Sequence, residues 1–272
     1  MSIKSKLSKV LLVLHEQGAY SAFKYILFRV ILQLPKGKWL LDKVIELKAN
    51  TIYLDGSVFC LDSSYITTGE KIRFLRGTWE LEPRFLIKKY LPHDLPVVEF
   101  GGCIGAVSCI TNKLLTAPEA HIVVEANKNI LPILKTNREK NGCQFKIINA
   151  AIAYEAEETS LYLKDRVDSG SIYHNTPQSI IVPTTTLEVI IQQEGFARVS
   201  LICDIQGTEI DLLRAEGEVI SNYVEWIVLE THDQNGSTQA YSLLKSLDFV
   251  LIDQFNHNSI YHNQGLMSDT TG

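Results

Sequence analysis

The sequence VVEFGGCIG at residues 97–105 carries the clearest structural pattern in the chain. It begins as a short apolar strand that contains Glu99, passes through three glycines and enters a helical pattern over residues 104–115. Glycine lets the backbone approach a ligand closely, and the first turn of a helix offers unpaired N–H groups. The segment therefore predicts a strand–turn–helix unit that binds a ligand at its turn.

Short apolar strands and amphipathic helices alternate on the C-terminal side of this turn. The predicted strands are residues 96–100, 121–125, 145–150, 160–163, 199–204, 224–230, 249–253 and 259–262. Such alternation is typical of βαβ units and a parallel sheet covered on both faces. Only residues 254–258 separate the last two strands, too few for a parallel crossover, so they must pair antiparallel. We predict a Rossmann-like α/β fold with a mostly parallel sheet and a C-terminal antiparallel hairpin.

Acidic residues stand at the ends of three predicted strands: Glu99, Glu125 and Asp204. Ligands of open α/β sheets bind at the edge formed by the carboxyl ends of the strands. Glu125, 20 residues after Gly105, has the placement to accept hydrogen bonds from both ribose hydroxyls of an adenosine-containing ligand. Asp204 could instead only cap the helix that follows it. We expect the three carboxylates to surround one adenosyl group.

The same layout serves NAD, and the glycine spacing distinguishes the two ligands. The dinucleotide fingerprint needs glycines at relative positions one, three and six. Gly102 and Gly105 fit the second and third positions, but the first falls on Phe100. Glu99 would also repel a pyrophosphate and attract the amino group or sulfonium of S-adenosylmethionine. The turn therefore favours the methyl donor.

Six motifs in order resemble those of the FkbM-type methyltransferases. They are EFGGCIG (99–105), EAN (125–127), NAAI (149–152), VPTTTL (182–187), DIQGTE (204–209) and VLETH (228–232). The resemblance covers roughly residues 79–262. It implies a class I methyltransferase fold, S-adenosylmethionine as cofactor, and O-methylation of a sugar, glycan or natural product as the reaction.

The predicted site contains residues that the resemblance implies and their neighbours in the same motifs. The predicted cofactor-binding residues are Glu99, Phe100, Gly101, Gly102, Gly105, Glu125, Ala126, Ala150 and Asp204. By the resemblance, Ala150 or its neighbour lies by the adenine and Asp204 approaches the reacting centre. Asp204 and His232 are the predicted catalytic residues, because each follows a strand at the same edge. His232 ordinarily titrates near neutrality, which suits a base, although a histidine there could be merely hydrogen-bonded.

Three positions depart from the family pattern. Glu99 replaces its usual Asp, Cys103 its usual Asn, and Gln206 its usual Glu. Cys103 and Gln206 motivate one alternative function, a catalytically silent binding domain in a biosynthetic complex. The other alternative is an NAD(P)-dependent oxidoreductase. Glu209 has two open interpretations, an internal salt bridge or a place in the active site.

Composition limits the class of protein and its partners. The 272 residues suit one large α/β domain at residues 79–272 behind an extension at residues 1–78. A net charge of −5 counts against nucleic acid as a partner. The five cysteines are scattered and form no CxxC pair, so we expect reduced cysteines, no metal site and a cytoplasmic protein.

The first 48 residues predict two or three helices, before a β-hairpin over residues 51–61. Apolar residues recur there at helical spacing and end at Pro35: Phe23, Ile26, Leu27, Val30, Ile31 and Leu34. Charged residues interrupt each apolar run before the ~20 residues that a membrane span needs. This amphipathic helix either packs on the domain or a partner subunit, or lies on a membrane surface with help from nearby lysines.

Overall fold

The computed structural model describes residues 23, 25–154, 156–163, 172 and 176–266. The chain divides into two compact units, residues 1–81 and residues 82–272. The predicted domain boundary, after residue 78, lies three residues before this division. The helices predicted within residues 1–22 lie outside the described residues.

The first unit contains helices and one hairpin. Residues 25–31 are helical, α1 is Gly37–Leu47, β1 is Thr51–Leu54, β2 is Ser57–Cys60 and α2 is Thr68–Leu75. The predicted hairpin is confirmed, since Leu54 pairs with Ser57 in an antiparallel register. Asp55 and Gly56 in its turn both have positive φ, at 47° and 73°, as tight hairpin turns require.

Ten further strands follow in the second unit. They are β3 Val97–Phe100, β4 His121–Val124, β5 Lys146–Ile148, β6 Ala151–Ile152, β7 Glu158–Tyr162, β8 Ser179–Thr185, β9 Val199–Cys203, β10 Val224–Glu230, β11 Phe249–Phe255 and β12 Asn258–Asn263. Seven of them form one sheet in the order β11-β12-β10-β9-β3-β4-β5. Among the described residues of this sheet, β10–β12 and β11–β12 pair antiparallel and the other neighbouring strands pair parallel. The predicted Rossmann-like sheet and its closing hairpin are confirmed.

A smaller sheet accompanies the large one, in the order β6-β8-β7. Strand β8 is not among the predicted strands, because Ser179–Thr185 contains Pro183 and alternates only weakly between buried and exposed positions.

Helices connect the strands of this unit. They are α3 Leu81–Tyr90, α4 Ala106–Asn112, α5 Leu131–Lys140, α6 Leu187–Glu194, α7 Glu209–Ala215, α8 Gly217–Tyr223 and α9 Gln234–Ser246. Residues 209–223 form two short helices, since the chain breaks at Glu216. That carboxylate accepts hydrogen bonds from the backbone N–H groups of Leu187 and Glu188 and so caps α6. Within the described residues, the helices are all too short or too polar to cross a bilayer.

The central strands are buried along their whole length. Every residue of β3, β4 and β9 is buried, and burying one large apolar side chain contributes about 1.5–3 kcal/mol. The core therefore fixes the positions at which these three strands end, and the candidate site lies there.

Candidate functional site

The carboxyl ends of four neighbouring strands meet at one edge of the sheet. Phe100 pairs with Val124 on one side and with Cys203 on the other, and Cys203 pairs with Leu229. Gly101 follows Phe100, Glu125 follows Val124 and Asp204 follows Cys203. Glu125 and Asp204 therefore lie on the two sides of Gly101. Adjacent strands lie about 4.8 Å apart, so the backbones of Glu125 and Asp204 are about 10 Å from each other. Glu125 and Asp204 therefore lie at the same edge of the sheet, and the adenosyl group expected between the carboxylates stays a prediction.

The glycine turn fits tightly against both neighbouring strands. A Cβ on Gly101, whose φ is 92°, would lie 1.9 Å from the carbonyl oxygen of Asp204. A Cβ on Gly102 would lie 2.3 Å from Cγ1 of Val123. Both glycine amides donate to the carbonyl oxygen of Val124, at 3.0 and 3.1 Å. The absence of side chains at 101 and 102 is therefore what lets the turn settle between Glu125 and Asp204.

Glu125 lies beside this turn and is held by two backbone amides. Its Oε2 accepts a hydrogen bond from the N–H of Cys103 at 2.7 Å, and its Oε1 accepts one from the N–H of Asn127 at 2.6 Å. Burial outweighs these two hydrogen bonds and raises the pKa of Glu125 to about 7. A carboxylate has about four acceptor positions, so about two remain for a ligand.

The segment after β5 supports the loop that carries Glu125. The side-chain amide of Asn149 donates to the carbonyl oxygens of Glu125 and Ala126, at 2.7 and 3.0 Å. Ala126 is partly exposed, whereas Ala150 is buried within the hydrophobic core. Asn149 thus fixes the path of the backbone at residues 125–126. The adenine contact predicted for Ala150 or its neighbour and the cofactor contact predicted for Ala126 stay predictions.

Glu99 has a different position from the one that the sequence analysis expected. Its carboxylate is buried and accepts a hydrogen bond from Ser108 Oγ at 2.6 Å, while its second oxygen lies 3.1 Å from His121 Nε2. Glu99 is only 1% exposed, so its carboxylate is enclosed by the protein as well as hydrogen-bonded within it. Phe100 is also a core residue, since its side chain is 1% exposed. The structure therefore gives the side chains of Glu99 and Phe100 buried, supporting positions next to the turn, and the cofactor contacts predicted for these two residues stay predictions.

Asp204, Glu209 and His232 form a cluster at the other side of Gly101. The Nε2 of His232 lies 3.3 Å from Oδ1 of Asp204 and 3.0 Å from Oε1 of Glu209. Asp204 and His232 are partly exposed, each with about a third of its side chain accessible, whereas the side chain of Glu209 is buried. The two predicted catalytic residues are therefore neighbours.

The charge of His232 differs from the sequence expectation. Burial lowers the pKa of His232, but the hydrogen bonds and charges of Asp204 and Glu209 together outweigh it and raise the pKa to about 10. At neutral pH the side chain is then an imidazolium, which has no lone pair to accept a proton. A protonated His232 cannot act as a base, so this raised pKa counts against the base role expected for it. The catalytic roles of His232 and Asp204 stay predictions.

Glu209 is the residue whose role the sequence left open. Its carboxylate accepts hydrogen bonds from the backbone N–H groups of Ile205 and Gly207, at 3.0–3.2 Å, besides its contact with His232. It thus connects the loop after β9 to the loop after β10. The contacts of Glu209 with Ile205 and Gly207 are local in the sequence, whereas its partner His232 is distant in sequence.

The same three side chains have the spacing of a metal site. One ligand atom from each of Asp204, Glu209 and His232 lies within 4.8 Å of the others. A cation at this position would compete with the backbone amides that already bind Glu209.

Gln206 has a local role at the same loop. Its φ is 55°, and its side-chain amide donates to Oδ1 of Asp204 at 3.3 Å. An ionised Glu, the usual family residue, could not donate this bond. With Gln in place of the usual Glu at position 206, the loop has one negative charge less and gains a hydrogen bond that orients Asp204.

Cys103 occupies a backbone conformation that favours asparagine. Its φ is 48°, in the left-handed region that costs a non-glycine residue about 1–2 kcal/mol and that Asn tolerates best. We expect Cys103→Asn to stabilise the protein by about 1 kcal/mol, which corresponds to about 2–4 °C in Tm for a chain of this size. Thermal unfolding measures the shift. Cys60→Asn, at a strand position without positive φ, is the control, and an equal shift in both variants would contradict the conformational explanation.

Comparisons with known proteins give one matching family model and several solved structures with low sequence identity. No curated protein matches the chain. Among solved structures, it is similar to a protein of the NADB-Rossmann superfamily from Streptococcus agalactiae, with 10% identity, 70% of this chain and 76% of that chain covered, and a TM-score of 0.42. It is similar to the ribosomal protein L11 methylase from Lactobacillus delbrueckii subsp. bulgaricus, with 8% identity, 69% and 80% covered, and a TM-score of 0.42. It is also similar to the precorrin-6y C5,15-methyltransferase from Geobacter metallireducens, with 14% identity, 66% and 85% covered, and a TM-score of 0.40. The family model described as the methyltransferase FkbM domain matches residues 99–258, more than half of the chain.

Proposed function

The chain belongs to the FkbM methyltransferase family, and we propose that it transfers a methyl group from S-adenosylmethionine to a hydroxyl of a sugar, glycan or natural product. The observation that carries the proposal is the edge of the sheet at which Glu125 and Asp204 flank Gly101. One carboxylate then serves the cofactor and the other serves the acceptor.

The residues around Glu125 fit the ribose of the cofactor. The carboxylate is anchored by the amides of Cys103 and Asn127 and keeps acceptor positions for a vicinal diol. The predicted contacts of Gly101, Gly102 and Gly105 with the rest of the cofactor belong to the same proposal. When bound, S-adenosylmethionine supplies an electrophilic methyl group on a sulfonium.

Asp204 is the proposed acceptor-binding and catalytic residue. Its side chain is partly exposed, and His232 and Gln206 both contact Oδ1. The other oxygen is then the one that would accept the hydrogen bond of an acceptor hydroxyl and receive its proton as the oxygen–carbon bond forms. Holding the acceptor in line contributes about 7–11 kcal/mol in well-oriented reactions, and a positioned base adds about 10²–10⁴-fold.

His232 and Glu209 position Asp204 in this proposal. The imidazolium of His232 bridges the two carboxylates, and Glu209 fixes that imidazolium to the loop after β9. The imidazolium thereby contacts Asp204 through Oδ1 and leaves the other carboxylate oxygen for the acceptor.

A cytoplasmic location and a small-molecule or glycan acceptor complete the proposal. All five cysteines are free, which agrees with a reducing compartment.

Calorimetry and a transfer assay test the proposed function together. We expect S-adenosylmethionine and S-adenosylhomocysteine to bind the full chain and NAD not to bind. Incubation with a panel of hydroxyl-bearing sugars and natural products should then give a methyl ether detectable by mass spectrometry. Binding of NAD alone would favour the oxidoreductase, and cofactor binding without transfer to any acceptor would favour a silent domain.

The pKa of Glu125 predicts how cofactor affinity depends on pH. The ionised carboxylate accepts hydrogen bonds from both ribose hydroxyls, whereas the protonated form has lost an acceptor and must itself donate. Because burial raises the pKa of Glu125 to about 7, we expect the Kd for S-adenosylhomocysteine to rise up to about tenfold per pH unit below that value and to level off above it. Calorimetry between pH 5.5 and 8.5 measures this dependence.

Glu125→Gln provides the control for the pH series. Its amide does not titrate, so its weaker affinity should be flat over the same range. A wild-type profile as flat as that of the variant would contradict ribose binding by the ionised Glu125.

A further inference from the structure

An apolar stripe of the first unit faces solvent. Phe23, Ile26, Leu27 and Val30 fall within an arc of about 100° on a helix, and all are exposed, Phe23 by 63% and Val30 by 53%. Tyr25, on the opposite side, is 2% exposed and lies under the guanidinium of Arg76. The helix therefore packs through Tyr25 and leaves its apolar stripe outside.

The helix α1 repeats this arrangement. It buries Leu41 and Ile45 and exposes Trp39 by 58%, Leu40 by 47% and Leu47 by 88%. The two helices are joined at a close contact, since a Cβ on Gly37 would lie 1.8 Å from the carbonyl oxygen of Ile31. We call the following exposed residues the N-terminal apolar face: Phe23, Ile26, Leu27, Val30, Leu34, Trp39, Leu40 and Leu47.

The segment that contains this face is basic, in contrast to the rest of the chain. Residues 1–48 contain nine Lys and Arg and three Asp and Glu, which give a net charge of +6. Since the net charge of the whole chain is −5, residues 49–272 have a net charge of −11. Lys36, Lys38, Lys43 and Lys48 are exposed around α1. Lys43 pairs with Glu46. Apolar and cationic side chains thus share one exposed region.

We propose that the N-terminal apolar face docks on the surface of an anionic phospholipid membrane. The apolar side chains would enter the boundary between headgroups and acyl chains, and the lysines would extend to the phosphates. Trp39 suits this boundary because its ring is apolar and its indole N–H is polar. The charge asymmetry would direct the acidic remainder of the chain away from the lipid.

The charge also selects lipid over a second copy of this chain. Two copies that met through this face would bring together the four exposed lysines around α1 of each copy, and like charges across an interface oppose association. Lysine is depleted in protein–protein interfaces. An anionic surface compensates the same charges.

Vesicle co-sedimentation of the full chain tests the proposal. We expect binding to phosphatidylcholine vesicles that contain phosphatidylglycerol to be at least about tenfold tighter than to phosphatidylcholine alone. It should weaken as salt is added. Equal or absent binding to the two vesicle types would overturn the proposal.

Paired variants distinguish vesicle binding through the N-terminal apolar face from nonspecific adsorption to vesicles. The double variant Trp39→Ser, Leu40→Ser removes exposed side chains and should lower binding by at least about tenfold. The control Val250→Ser, Ile252→Ser removes two exposed apolar side chains of β11 and should bind like the wild type. Equal loss in both would overturn the assignment to this face.

Sedimentation equilibrium tests whether a second copy of this chain covers the N-terminal apolar face. A dimer that forms without lipid and disappears in Trp39→Ser, Leu40→Ser would show that a second copy covers the face and would overturn the proposal. Neither readout depends on cofactor binding or methyl transfer, so a failure here is distinguishable from a failure of the proposed function.

Discussion

Asp204→Asn lowers kcat for methyl transfer by about 10²–10⁴-fold, the usual contribution of a positioned base, if Asp204 receives the acceptor proton. The substitution keeps the shape of the side chain and an Oδ1 that can accept from His232 and Gln206. It replaces the second oxygen by an N–H₂ group, which donates where the acceptor hydroxyl needs an acceptor. Single-turnover transfer to the acceptor found in the panel measures the loss.

Cofactor affinity shows whether the loss of kcat in Asp204→Asn comes from the missing base or from a distorted cofactor site. Calorimetry should show that Asp204→Asn binds S-adenosylhomocysteine nearly as tightly as the wild type. Asp248→Asn is the matched control, because Asp248 is exposed and has a φ of 62° that Asn tolerates. Unchanged kcat in Asp204→Asn would exclude Asp204 as the base, and a parallel loss in the control would point to general damage.

Gly101→Ala destabilises the protein by about 3–5 kcal/mol, since it combines a left-handed backbone with a steric clash. The added methyl group would lie 1.9 Å from the carbonyl oxygen of Asp204, so β3 and β9 would have to separate where their ends form the site. We therefore also expect the affinity for S-adenosylhomocysteine to fall by at least about tenfold, since small displacements in a binding site are costly. Urea unfolding and calorimetry measure the two effects.

Gly142→Ala isolates the cost of the backbone conformation. Its φ is 63°, but a Cβ there meets no atom within 4 Å. It should cost only about 1–2 kcal/mol and leave cofactor affinity unchanged. Equal destabilisation by the two substitutions would mean that the close approach of Gly101 to Asp204 is unimportant.

Local pattern was sufficient to predict the class of fold. Strand and helix periods, the Asp55-Gly56 turn and the short link before β12 are properties of neighbouring residues, and they led to the sheet that is observed. Parallel strands then place their carboxyl ends at one edge, so Glu125 and Asp204 could be assigned to the same edge from sequence alone.

Contacts between distant residues decided the rest of the site. Whether Glu99 faces a ligand depends on Ser108 and His121, and no local pattern reveals that both occupy its carboxylate. The charge of His232 likewise depends on Asp204 and Glu209, because a pKa is set by burial and by charges a few ångströms away in space. Sequence thus determined which strands end at the site, and tertiary structure determined which side chains are available there and in which protonation state.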